Sequence, residues 1–269
     1  MTFDYWGMHE RTGMIKQMRL IAASMVCLCV VDISRASSVP DREGFLPLFN
    51  GADLTGWEYL GKSPLWGVKP DEPEVLQFIP EWLDEKTVVW GCSEQLWTSR
   101  EYTNFVLRFD FMMPTNGNNG VGIRMLPLKD AAYYGFCEVQ LLDDGGPAYF
   151  DADANKDICQ PVQFCGSVYG VLPSRRDNSD RLHSSGCRSY VRKPGEWNGA
   201  EILVADSFIR VVLNGVVVTE GDVSVFKGDG DTPDGKLHPG LRRRSGPIGL
   251  LGYKGHNVKF RNLRVKELK

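Results

Sequence analysis

"AEILVADSFIRVVLNGVVV", residues 200 to 218, decides the fold class. Asn214-Gly215 sits between alternating β-branched runs, which is the signal of a two-residue type I′ hairpin. Outward from it, short apolar or alternating runs are separated by Gly, Pro, Asn and Asp, and no long segment has helical period. "NFVLRFDFMMP", "GVGIRMLP", "FCEVQLLDD", "GPIGLLGY" and "NVKFRNLRVKEL" read as further strands. Strands at this spacing predict an all-β sandwich or barrel. Loops are expected at 60–87, 143–195 and 221–245. There is no internal repeat and no dividing linker, so 45–268 reads as one domain.

The chain has 269 residues, 24% of them charged, and a formal net charge of -3. That balance argues against a nucleic-acid or acidic-membrane partner. Lys16 and Arg19 precede an apolar run from Leu20 to Val31 and then small residues, the order of a secretory signal peptide. The run is shorter than the roughly 20 apolar residues a span requires, so no membrane span is expected after cleavage. Residues 1–38 are therefore read as a signal peptide, with translation starting at Met14 or Met18, and the mature chain as periplasmic or extracellular. Five cysteines remain after cleavage, an odd number, and Cys159 with Cys165 is the best candidate pair.

Within the strands, parity separates two faces. Phe105, Leu107, Phe109 and Phe111 share one face, with Arg108 and Asp110 opposite. Val121, Ile123 and Met125 share a core face, with Gly122 and Arg124 opposite. Cys137, Val139 and Leu141 point inward, with Glu138 and Gln140 outward. If these strands are neighbours, Arg108, Asp110, Arg124, Glu138 and Gln140 gather on one face. That face reads equally as a sugar-binding floor or as a solvated sheet with ion pairs such as Arg124 with Glu138. Trp97, Tyr169 and Trp197 at strand or loop edges are candidates for stacking on sugar rings.

Other motifs carry less. "DADANKD", 151–157, begins like a calcium loop but has Lys156 where the turn glycine belongs and Val162 where the bidentate glutamate belongs. "GDGDTPDGK", 228–236, reads as a turn. His183, His238 and His256 all lie in loops, and His256 is the first to test as acid or base. No phosphate-cradling loop, nucleophile elbow or zincin helix is present. No cofactor is evident, and the metal question is left open, with room for a divalent cation.

"LPLFNGADLTGW", "LWTSREYTNFVLRFDF", "NNGVGIR", "CEVQLLDD", "GSVYG", "GEWN", "VVLNGVVV" and "GPIGLLGY", followed by "VKFRNLRVKEL", occur in the order that resembles the 3-keto-disaccharide hydrolase family. The resemblance implies a concanavalin A-like jelly-roll sandwich of two antiparallel sheets in an exported bacterial protein. It further implies 3-keto-glucoside 1,2-lyase and 3-keto-2-hydroxy-glucal hydratase activity, with an oxidised mono- or disaccharide glycoside as substrate. Carried over by motif, Glu138 is implied as base or metal ligand and Arg124 as enolate or carboxylate partner. Asn119, Gln140, Asp143, Tyr169, Trp197 and Asn198 are implied as substrate contacts, joined by Trp97. Near the C-terminus this chain has Leu251 and Tyr253 where relatives hold Gln and His, with His256 three residues on. A lectin-like module and a two-carboxylate glycoside hydrolase, pairing Glu138 with Asp110 or Asp143, are the competing readings.

Overall fold

The computed structural model describes residues 39–59, 65–79, 95–126, 137–176, 189–228, 230–253 and 256–269. The proposed signal peptide, Cys92, Cys187 and His183 lie outside them. No helix among the described residues is long and apolar enough to cross a membrane.

Two antiparallel sheets face each other across one core. The larger runs in the order β13 (Val216–Asp222), β12 (Phe208–Leu213), β11 (Trp197–Ala205), β6 (Phe105–Met112), β15 (Lys259–Glu267), β4 (Leu76–Phe78), β3 (Trp66–Gly67), with β1 (Leu46–Pro47) also on β15. The smaller runs β2 (Trp57–Tyr59), β5 (Leu96–Thr98), β14 (Gly249–Leu250), β7 (Asn118–Ile123), β8 (Cys137–Leu142). A separate ribbon pairs β9 (Phe150–Asp151) with β10 (Lys156–Asp157). The chain changes sheet repeatedly, at β5 to β6, β6 to β7, β13 to β14 and β14 to β15. This is a jelly-roll sandwich of the concanavalin A-like kind.

The β12–β13 hairpin closes at Leu213 opposite Val216, with Asn214 at φ 50° and Gly215 at φ 85°. Positive φ at both central residues is what a type I′ turn demands. Phe105, Leu107, Phe109 and Phe111 are all buried, as their parity requires. Phe260 packs between Trp66 and Phe109, with ring centroids 6.1 and 6.0 Å away. The region 60–87, expected as a loop, contains β3 and β4, whose Trp66, Leu76 and Phe78 are buried. Strands of two or three residues are too short to show a period.

The single polar face expected from Arg108, Asp110, Arg124, Glu138 and Gln140 does not form. Arg108 and Asp110 belong to β6 in the larger sheet, and Glu138 and Gln140 belong to β8 in the smaller. On the outside of the larger sheet, Arg108 binds Glu201 at 2.6 Å and Arg261 binds Asp110 at 3.1 Å. Cys159 and Cys165 are not bridged either. The 3-10 turn Pro161–Gln163 lies between them, and Cys165 enters the core while Cys159 packs at its margin.

Candidate functional site

One row of residues crosses the smaller sheet. Glu58 lies opposite Trp97, Trp97 opposite Gly249, Gly249 opposite Gly122, and Gly122 opposite Glu138. Beyond β8 the segment 167–169 adds a partial strand, in which Val168 bridges Val139 and the Tyr169 N–H donates to the Glu138 carbonyl at 2.9 Å. Tyr169 therefore stands opposite Glu138. The neighbouring residues of opposite parity, Leu250, Val121, Val139 and Val168, are all in the core. Hence the row points away from it. Three strand spacings separate Trp97 from Glu138, about 14 Å, with two glycines between them.

Glu138 is only 5% exposed, and no side chain pairs with it among the described residues. Burial pushes its carboxyl up to about 8, because removing a carboxylate from water disfavours the charged form. Gly120 explains its posture: a Cβ there would lie 2.2 Å from Glu138 Oε1 and 2.8 Å from its Cγ. The carboxyl lies over the space that the missing side chain leaves.

Along the same face Gln140 Nε2 donates to Asn118 Oδ1 at 3.0 Å. Asn118 also holds the Tyr149 hydroxyl, whose ionisation burial pushes upward. Tyr149 leads on to the Asn116 carbonyl at 3.5 Å, which takes a bond of 2.8 Å from His256 Nδ1. A carbonyl only accepts, so His256 carries a proton on Nδ1, and in the uncharged tautomer Nε2 is the nitrogen with the lone pair. The ring meets Tyr253 edge-on at 6.4 Å. Tyr253 in turn packs on a cluster of Trp97, Met125 and Leu251. One end of the face is thus polar, around Glu138, and the other apolar, with Leu251 and Tyr253 contributing to the apolar part.

The sequence-derived candidates divide accordingly. Glu138, Gln140 and Tyr169 share this face, and His256 is joined to it through Tyr149; Trp97 is on the same face but buried with Met125 and Leu251, so its ring is not open for the expected sugar stacking. Arg124 is not brought to Glu138. Its backbone is left-handed, φ 54°, immediately after β7 ends, and a guanidinium N–H donates to the Asp206 carbonyl. The same backbone turn breaks the strand's parity, so Met125 joins the outer Trp97 cluster instead of the main core. Asn119 turns inward with Val121, and its Oδ1 accepts the Gly120 N–H at 2.8 Å. Asp143 is held by the loop, accepting the Asn116 N–H at 2.8 Å. Asn198 is buried, its Oδ1 taking the Arg192 N–H at 2.8 Å and Asn214 Nδ2 at 2.9 Å. Trp197 lies on the outside of the larger sheet under the Arg261 guanidinium at 4.1 Å, with the core between it and Glu138. Asp110 is on that far face too.

One arrangement escaped sequence reasoning. His238 Nε2 lies 3.0 Å from Asp234 Oδ1, and both side chains are largely buried. This pair packs on Gly170, next to Tyr169, where a Cβ would meet Asp234 Oδ2 at 2.2 Å. Burial raises the Asp234 carboxyl, but His238 and the Lys236 N–H more than offset this and hold it below its usual range. The four-residue spacing was the only signal. The calcium-like "DADANKD" forms the β9–β10 turn, with Asp151 Oδ1 accepting the Ala154 N–H at 3.0 Å. No three of His, Cys, Asp and Glu converge as a metal-ligand set among the described residues.

A family model described as a 3-keto-alpha-glucoside-1,2-lyase-like domain matches residues 44–266. A crystal structure of a "putative glycosyl hydrolase" from Parabacteroides distasonis is 30% identical, with a TM-score of 0.61, covering 83% of this chain and 99% of that one. A second "putative glycosyl hydrolase" from the same organism is 23% identical, with a TM-score of 0.62, covering 86% and 99%. The comparison with curated proteins yields no match.

Proposed function

Because this chain belongs to the 3-keto-alpha-glucoside-1,2-lyase-like domain family, we propose that it cleaves glycosides whose sugar carries a ketone at C3, by elimination followed by hydration. The ketone acidifies the C2 proton and places the glycosidic oxygen on C1, β to the carbonyl. A base that removes the C2 proton forms the enolate. Collapse of the enolate expels the aglycone and leaves a C1–C2 double bond. Water added at C1, with a proton returned to C2, completes a net hydrolysis.

Glu138 carries this reading: a buried carboxyl, pushed up to about 8, on the outward face of the smaller sheet. A base with a pKa near the working pH is both available and strong. Roughly one molecule in ten is ionised at pH 7, and the fraction grows tenfold per unit below pH 8. Tyr169 beside it and the Gln140 amide along the strand supply donors for the enolate oxygen. His256, with its lone pair on Nε2, is the proposed activator of water in the hydration step. Trp97 is buried with Met125 and Leu251 and has no part as a sugar contact in this proposal. Arg124 has no part in this proposal, since its guanidinium binds elsewhere. The order of charge and apolar residues at 16–31 supports an exported location.

The test is to supply purified protein with a 3-keto-glucoside and with its unoxidised parent. Turnover of the keto sugar alone is expected. Equal cleavage of the parent would replace this mechanism with ordinary glycoside hydrolysis, and binding without turnover would favour a lectin-like module.

A further inference from the structure

At the opposite end of β7 from Gly120 the protein buries a cation. Arg124 is only 4% exposed, and among the described residues its Nε has no partner and its one hydrogen bond goes to the Asp206 carbonyl. No carboxylate lies within ion-pair distance of it among those residues. A buried guanidinium without a counter-charge is costly unless an anion joins it.

The surroundings fit such an anion. Arg124 lines a cavity of about 490 Å³ together with the three consecutive arginines at 242–244 and the hydroxyl-bearing Ser207 and Ser224. Among the described residues Arg243 also keeps a buried Nε without a hydrogen-bond partner, and the nearest contact of its guanidinium with Glu101 is 4.0 Å. Against the two guanidinium groups with a buried Nε, Arg124 and Arg243, the lining holds one carboxylate, Asp206, which is exposed and takes an Asn104 side-chain N–H at 3.4 Å. The balance of the cavity is positive. Burial also depresses the Arg124 pKa from its ordinary value, an effect that the Asp206 carboxylate offsets only in part.

We propose that this cavity is an oxyanion-binding site, taking a sulfate, phosphate or carboxylate group through the Arg124 and Arg243 guanidinium groups and the neighbouring hydroxyls. The site is separate from the Glu138 face and does not depend on the reading of that face. If Arg124 served only as a strut between the sheets, it would influence stability without binding any anion.

Isothermal titration of the full chain with inorganic phosphate, inorganic sulfate and glucuronate, at fixed ionic strength, separates these possibilities. Saturable one-to-one binding of at least one of the three is expected. Tighter binding of glucuronate assigns an acidic sugar as the source, and tighter binding of an inorganic ion assigns the free ion. Arg243→Gln, at a half-exposed position, should weaken binding about tenfold or more, the usual consequence of losing a charge-assisted bond. Arg124→Gln should do the same, whereas Arg100→Gln, in an exposed pair with Glu267, should leave binding unchanged. Absence of saturable binding for all three probes, or undiminished binding in both the Arg124 and Arg243 variants, would overturn the proposal.

Discussion

Glu138→Gln exposes the energetic cost of burying a carboxyl on the outward face of the smaller sheet. In the unfolded chain Glu138 ionises near its ordinary value of 4.5, and in the folded protein near 8. Between those limits the folded state holds a proton that the unfolded state has released, so stability falls as pH rises through this window. Below pH 4.5 both states are protonated and the penalty vanishes. At about 1.4 kcal/mol per unit, the full interval amounts to on the order of 5 kcal/mol, an upper limit because the surroundings relax around the charge. Glutamine has nearly the shape of the protonated acid and never ionises. Urea unfolding of wild type and variant at pH 5 and pH 9 isolates the effect. Asp144, which burial also raises, to about 6, is present in both proteins and cancels in the difference. At pH 5 the two should agree within about 1 kcal/mol, and at pH 9 the variant should be more stable by roughly 2 to 4 kcal/mol. A difference that is the same at both pH values would refute the claim that burial, with no partner among the described residues, raises the Glu138 carboxyl.

Other perturbations follow from the same geometry. Gly120→Ala places a methyl group 2.2 Å from Glu138 Oε1. It should lower kcat/KM for the keto sugar by roughly a hundredfold while costing about 1 to 3 kcal/mol, measured by steady-state kinetics beside thermal unfolding. Asn198→Ala leaves the Arg192 N–H and the Asn214 amide without their shared acceptor. It should cost about 1 to 3 kcal/mol and leave KM unchanged, so a raised KM with unaltered stability would restore Asn198 as a sugar contact. Phe260→Ala, in the aromatic cluster with Trp66 and Phe109, should cost about 3 to 5 kcal/mol in denaturant unfolding. For the wild type, kcat/KM on the keto sugar should climb about tenfold per unit up to pH 8 and then level off.

The sequence made parity legible and left sheet membership hidden. Alternation alone places Phe105 to Phe111 inward, sets Glu138 and Gln140 outward together, and closes the hairpin at Asn214-Gly215. It does not say that residues 113–117 carry the chain from one sheet to the other, so Arg108 and Glu138 could be assigned to one face although the core separates them. Arg124 misleads for a local reason: a left-handed backbone at one non-glycine residue redirects both its own side chain and that of Met125. Trp197 and Asn198 sit side by side in a family-like motif, yet strand alternation sends the first outward under Arg261 and the second inward among loop amides. His238 looks like an exposed loop residue until the fold packs its partner Asp234 against Gly170.

The most direct test is the fate of the C2 hydrogen. Wild type and Glu138→Gln are each incubated with a 3-keto-glucoside in heavy water, and the recovered sugar is analysed by NMR. The account predicts deuterium at C2 of the hydrated product with wild type, and neither exchange nor cleavage with a Glu138→Gln variant that remains folded. Cleavage that keeps the original hydrogen at C2, or a fully active variant, would contradict it.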